Sequence, residues 1–432
     1  MTGPPVASPE ERAVVRKVAV RLMPFLILLY FVAYLDRVNV SFAALTMNKD
    51  IGLTNTAFGI GSGIFFIGYF LFEVPSNLAL QRFGARRWIA RIMVSWGIVS
   101  MAMILARGPV SFHVLRFLLG VMEAGFFPGI VLYLTYWFPN GVRGSVMAYF
   151  FIAIPLANIV GGPVSTTLLD LPLFGLKGWQ SMFVIEAVPA LLLGFIVLKV
   201  LRDTPRDANW LTDGERATLT AAIDRDGRTS RHSSLRAGLL SLEVWGYTAL
   251  YFSMVLGSYG FGFWAPKIIK SLGNLSNREV GWYIVIPFAA SAVTMYFWGR
   301  HSDRTGERAW HVALPGFIGA AGFVYGSLTG QFWVSIVSLT VGAMGIYGLT
   351  AVFWTLPTAV LTGTAAAGGI ALINSFGNLA GFLGPFLVGY FKDRTGSYTP
   401  GLITLASGLV IAGVLGLVLG KRQLRMRGEP RA

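Results

Sequence analysis

Residues 77–86 read Asn77-Leu-Ala-Leu-Gln81-Arg82-Phe-Gly84-Ala-Arg86, and residues 299–308 read Gly299-Arg-His-Ser-Asp303-Arg304-Thr-Gly306-Glu-Arg308. At an offset of 222, Arg82 falls on Arg304, Gly84 on Gly306 and Arg86 on Arg308. The same offset carries Gly162-Pro163 onto Gly384-Pro385. Two separated matches at one spacing mark an internal repeat of two similar halves. Working outward from these loops, apolar runs long enough to span about 30 Å of hydrocarbon begin near residues 22, 57, 88, 112, 146 and 180, and again near 242, 280, 309, 332, 365 and 400. No alternation of strand type competes with them. The expected fold is an all-α integral membrane protein with twelve transmembrane helices in two six-helix halves, and the substrate path should run between the halves.

Composition agrees. Of 432 residues, 54% are hydrophobic and only 13% charged, far from the roughly 25% charge of soluble chains. The 52 Gly and 32 Phe suit helices that approach closely in lipid. There is no Cys, which excludes disulfides, iron-sulfur clusters and thiolate metal sites.

The net charge of +15 invites a nucleic-acid reading, but the basic residues are distributed by topology. With the N-terminus inside, 25 of the 35 Lys and Arg fall in cytoplasmic pieces and eight outside. By the positive-inside rule both termini are then cytoplasmic, the lipid bilayer is the partner, and no nucleic acid is implied. The expected organisation is a cytoplasmic tail over 1–21, a first bundle over 22–201, a cytoplasmic linker over 202–240, a second bundle over 241–420 and a tail over 421–432. The first span is too long, and its Asp-Arg pair too deep, for a cleavable signal peptide. In the linker, Thr212 and Glu215 have capping-box spacing, which predicts a short surface helix there. Otherwise the linker reads as a solvated tether.

The loop Gly299 to Arg308 resembles the signature loop between the second and third helices of each half of major facilitator superfamily transporters. Tyr34-Leu-Asp36-Arg37-Val-Asn39, Phe72-Glu73-Val-Pro75-Ser-Asn77, Phe83-Gly-Ala-Arg86-Arg87-Trp88-Ile-Ala-Arg91 and Glu123-Ala-Gly-Phe-Phe-Pro128-Gly resemble that superfamily's anion:cation symporter family, in particular its bacterial tartrate transporter-like members. The resemblance implies a secondary active transporter of the cell inner membrane, importing an organic anion such as tartrate, a sugar acid or an aromatic acid by proton symport. Protons would be the coupling ion and no other cofactor is implied. An organic-anion exchanger or drug exporter of the same fold, and a nontransporting membrane receptor, stay open as alternatives. The first-half loop departs from the family pattern, with Asn77 and Gln81 where the second half has Gly299 and Asp303.

A charge at the bilayer centre costs at least about 2.5–3.5 kcal/mol on insertion scales, so it needs a partner, a cavity or a proton. Asp36, Arg37, Glu73, Arg116, Glu123 and Glu186 are such charges, all in the first half. The offset sets Ser258 and Tyr259 opposite Asp36 and Arg37, and Ser338 and Gly345 opposite Arg116 and Glu123. Four carboxyls against two Arg leave a negative excess unless some bind protons. Arg116 and Glu123 share a helix face but stand about 10.5 Å apart along the axis. Cross-helix pairing of Arg37 with Glu123 and of Asp36 with Arg116 is therefore expected. Arg suits a carboxylate substrate through its bidentate fork. In the relatives the matching Asp and Glu are proton sites and the matching Arg lie near substrate. This makes Asp36 and Glu123 the proton-coupling candidates and Arg37 and Arg116 the substrate-binding ones. Glu73 and Glu186, each before a proline, read as structural.

Tyr69, Tyr259, Trp354, Asn374 and Asn378 are the expected neutral lining of the substrate path, and the resemblance bears on Tyr69, Trp354 and Asn374 most directly. Gly299, Asp303, Arg304 and Arg308 form the expected gating loop. His113, His232, His301 and His311 fall at span ends or in loops without metal-ligand spacing, so no metal site is expected. No nucleophile and base, metal cluster or phosphate-cradling loop is visible, so the chain does not read as an enzyme.

Overall fold

The computed structural model describes residues 8–173, 175–228, 241–360 and 363–427. Helices begin and end where the local chemistry says they should. Ser8 Oγ accepts from the Glu11 backbone N–H at 3.0 Å and opens α1, Pro9–Ala43. Thr54 caps α2, Asn55–Phe83, which stops at Gly84 with φ of +86°. There follow α3 (Ala85–Leu105), α4 (Pro109–Trp137), α5 (Gly141–Leu169) and α6 (Gly178–Val200). The second half repeats the series with α7 (Leu242–Ser271), α8 (Asn277–Thr305), α9 (Ala309–Leu328), α10 (Phe332–Thr358), α11 (Gly369–Thr395) and α12 (Thr399–Arg427). Gly306, with φ of +69°, ends α8 as Gly84 ends α2.

Eleven of these helices are long and apolar enough to cross a membrane. The twelfth, α7, has 30 residues, about 45 Å of helix, but Gly257, Ser258, Tyr259, Gly260 and Gly262 dilute its middle. From this centre Tyr259 meets Arg37 of the other half, while Gly257 and Gly260 pack against α12 of their own half. Helix α1 starts at Pro9 rather than near residue 22.

The halves meet through crossings that obey the 222-residue repeat. At Gly59 on α2 a Cβ would come within 2.5 Å of the Pro385 carbonyl oxygen on α11, and at Gly281 on α8 within 2.7 Å of the Gly162 carbonyl oxygen on α5. Glycine is what lets these backbones touch. At the end of the bundle opposite the termini, Asp393 of α11 closes over the first turn of α2. Its carboxylate accepts from the Asn55 backbone N–H (3.2 Å) and Nδ2 (2.8 Å), and from the Thr56 N–H (2.6 Å) and Oγ1 (2.7 Å). Lys267 Nζ donates to Asn55 Oδ1 at 2.8 Å, and Arg278 of α8 pairs with Asp170 after α5 at 3.2 Å.

At the terminus end the linker is docked as far as it is described, not a free tether. Thr212 and Glu215 make a reciprocal capping box at the start of a helix over Asp213–Arg228. Lys17 of α1 pairs with Glu215 at 2.8 Å, and Trp210 stacks on Trp137 at 5.7 Å. The Lys17 amine, then the Thr212 backbone N–H, hold the Glu215 carboxyl below the ordinary carboxylate range.

Candidate functional site

Consecutive residues on a helix point about 100° apart, and this separates Asp36 from Arg37. Asp36 turns inside the first half. It accepts from Trp96 Nε1 at 2.9 Å and Ser100 Oγ at 3.3 Å, both on α3, and from Asn39 Nδ2 at 3.4 Å. Arg37 turns toward the interface, where its Nη2 donates to Glu123 Oε1 in a buried ion pair. The expected pairing of Arg37 with Glu123 therefore forms. That of Asp36 with Arg116 does not, because one helix cannot aim two neighbours at the same face of α4.

Arg37 Nη1 also reaches the Tyr259 hydroxyl at 3.2 Å. These two residues are 222 apart, so equivalent positions of the two halves touch, as they must where a pseudo-twofold axis passes between them. Arg116 is fully buried. Its Nε donates to the Gly61 carbonyl at 3.2 Å and its Nη2 to the Ser62 carbonyl at 3.3 Å. Among the described residues, Arg116 Nη1, Arg37 Nε and Ser62 Oγ are buried with no hydrogen-bond partner. The Phe65 ring stands 5.3 Å from the Arg37 guanidinium and 5.2 Å from that of Arg116, a negative ring face near two cations. Helix α4 breaks directly after Glu123, with Gly125 at φ of +85°, so the carboxylate sits at a helix end whose backbone is already turned.

The neutral residues divide. Tyr69 is buried with its ring 5.6 Å from the Arg37 guanidinium. Trp354 is half-buried, 5.1 Å from the Tyr251 ring. Asn374 gives its Nδ2 to Glu73 Oε1 at 3.1 Å, and Ser375 its hydroxyl to Glu73 Oε2 at 3.2 Å. Asn378, one turn on, is half-buried. Glu186 stays within the first half, accepting from Ser165 Oγ at 2.6 Å. Of the two carboxyls read as structural, Glu73 alone bridges the halves among the described contacts.

The gating set lies apart from this centre. Arg308 pairs with Asp303 at 2.8 Å and donates to Ser302 Oγ at 2.9 Å, folding back on the last turn of α8. Arg304 is exposed, and Gly299 faces Ala351 of α10. His311 is buried and bonded to both His301 and Glu307. His113 Nε2 lies 2.8 Å from the Ala57 carbonyl, and His232 falls outside the described residues. Sequence reasoning missed the Asp393 closure. Its signal was Thr54-Asn55 recurring as Ser276-Asn277 at the same offset, two capping pairs at the same end of both halves.

Comparison with known proteins agrees with this architecture. Residues 26–385 match the sequence profile of the Major Facilitator Superfamily. A protein assigned as a tartrate transporter in Agrobacterium vitis is 50% identical over 414 residues, 95% of this chain and 92% of that one. A quinolone resistance transporter of Acinetobacter baumannii is 40% identical, over 95% and 94% of the two chains. Among solved structures, a bacterial homologue of the human lysosomal transporter Spinster, inward-facing and occupied, superposes with a TM-score of 0.75 at 16% identity, over 95% of this chain and 98% of that one. With the profile spanning most of its length and relatives this near, the chain belongs to the major facilitator superfamily and is a membrane transporter.

Proposed function

We propose that this transporter imports an organic anion, a carboxylate of the tartrate or sugar-acid kind, together with protons across the bacterial inner membrane. The observation that carries this reading is the buried ion pair of Arg37 with the single carboxylate Glu123 at the interface of the halves, with the buried Arg116 guanidinium also beside the Phe65 ring. With Glu123 ionised the group carries one net positive charge, and with Glu123 protonated it carries two. A proton on Glu123 thus frees the Arg37 fork for a substrate carboxylate, and Arg116 Nη1 is a second donor without a partner among the described residues. Anion and proton then bind together because each removes the other's electrostatic penalty. Asp36, held by Trp96 and Ser100, is a second protonatable group behind Arg37. The relative assigned to tartrate supports the substrate class.

If the basic loops lie in the cytoplasm, the Asp393 closure faces outward. The reading is tested in proteoliposomes with tartrate and a sugar acid, under an inward proton gradient and in exchange mode. Gradient-driven accumulation in the wild type, lost in Glu123→Gln while exchange persists, is the expected result. Uptake indifferent to the gradient overturns proton symport. An exporter is the second reading, favoured by the quinolone-resistance relative, and a quinolone also carries a carboxylate. Drug binding without tartrate or sugar-acid binding would favour it.

A further inference from the structure

Glu73 stands one turn after Tyr69 on α2, about 6 Å further along the axis, and Tyr69 borders Arg37. It is therefore at the edge of the candidate site, on the side nearer the termini. Glu73 and Asn374 are both buried. Their contact breaks the symmetry of the fold: the position equivalent to Glu73 is Met295, and those equivalent to Asn374 and Ser375 are Ile152 and Ala153. A pair that existed only to pack the halves would need no such exception.

The chemistry of the contact fixes its polarity. A carboxylate can only accept, so it takes the amide Nδ2 of Asn374 and the single hydroxyl proton of Ser375. What remains is an amide oxygen and hydroxyl lone pairs, which accept, and the second Nδ2 proton of Asn374 as the one donor left. No described residue donates to Asn374 Oδ1, and this oxygen is not among the enclosed unpartnered atoms. We infer that Glu73 is a positioning residue that orients Asn374 and Ser375 of α11 as a wall made mainly of acceptors, making the site selective for hydroxylated carboxylates over acids of the same length without hydroxyls. The wall matches substrate hydroxyl protons. Arg37 and Arg116 supply the anion contact, and Glu73 sets what the rest of the molecule must offer. This inference rests on the carboxylate reading proposed above and narrows it.

Calorimetric titration of the purified full-length protein tests it with two matched pairs, tartrate against succinate and gluconate against hexanoate. The wild type should bind the hydroxylated member of each pair more tightly. In Glu73→Gln the side chain can donate, Asn374 is free to turn its amide over, and the preference should fall by roughly three- to tenfold, the worth of one hydrogen bond. Glu73→Asp, which keeps the carboxylate, should retain part of it. Asn374→Ala removes an acceptor without touching Glu73 and should lose the preference as well, which guards against a Glu73 variant that fails to fold. A role in packing alone would lower stability and leave the ratio within each pair unchanged. Equal binding within both pairs by the wild type, or an unchanged ratio in Glu73→Gln and Asn374→Ala, overturns the inference while the carboxylate reading stands. If the wild type binds no member of either pair, the carboxylate reading fails and this inference with it.

Discussion

The two halves share a fold and differ in how they use equivalent positions. In the first half Trp96 and Ser100 of α3 reach across to Asp36. Their equivalents are Ile318 and Gly322 on α9, and a Cβ at Gly322 would come within 2.7 Å of the Ser338 carbonyl oxygen on α10. Glu123 on α4 faces Arg37, whereas its equivalent Gly345 lies so close to α9 that a Cβ would meet the Gly319 Cα at 2.4 Å. One half spends these positions on buried charge, the other on backbone-to-backbone packing. Under the proposed function this is a division of labour: the first half would carry the groups that change protonation and bind the anion, and the second is the more tightly packed body, contributing neutral hydroxyls and amides.

The largest effect should come from unbalancing the charged half. Arg37→Ala leaves Glu123 buried without its ion-pair partner, and removing one partner of a buried pair costs about 3–5 kcal/mol. Denaturant unfolding in detergent should register this. The double variant Arg37→Met with Glu123→Leu should recover much of the stability and no transport. If the single variant is as stable as wild type, the pair is not energetically coupled.

Arg116 comes next. Its replacement by Ala should weaken binding of a carboxylate substrate by roughly 1.5–3 kcal/mol, about tenfold to over a hundredfold. Arg116→Lys should fall between, since Lys keeps the charge and loses the fork. Calorimetric affinities equal to wild type in Arg116→Ala would reduce Arg116 to a clamp on Gly61 and Ser62.

In the packed half, Gly345→Ala drives a methyl into α9 backbone and should cost about 1–3 kcal/mol as overpacking. Gly97→Ala, at the position equivalent to Gly319, meets the movable Leu191 side chain at 2.8 Å and should cost less. Thermal unfolding of the two variants gives the order directly, and the reverse order would contradict the proposed division.

The closures at the far end are graded too. Asp393→Ala deletes four hydrogen bonds, so it should shift the population toward an open far end further than Asp170→Ala, by about 1 kcal/mol for such an exposed contact. Spin-label distances across that end would measure both, and equal shifts would make the closures equivalent. The smallest effect lies at the linker. Because the folded Glu215 carboxyl is held below its usual value, its contribution is complete above the ordinary glutamate pKa of about 4.3 and is lost as pH falls through the lower folded value. Trp210 fluorescence should report looser docking only in that acid range, and Glu215→Gln should abolish this pH response.

Twelve helices, their order and the two-half repeat were legible in the sequence because hydropathy over about 20 residues and a 222-residue echo are properties of the chain alone. So were the intramembrane charges, since a charge in an apolar run declares itself wherever the helix goes. Which charges meet was not legible. Depth along a span can be counted from sequence, but azimuth around the bundle depends on how helices pack, and azimuth sent Asp36 to Trp96 and Arg37 to Glu123 and Tyr259. For the same reason Glu73, an ordinary carboxyl before a proline in the sequence, acquired Asn374 and Ser375 more than 300 residues away. Asp393, a polar residue at a span end, likewise became the closure over α2. Local periodicity says which face of a helix is special, and only the packed tertiary structure decides what that face meets.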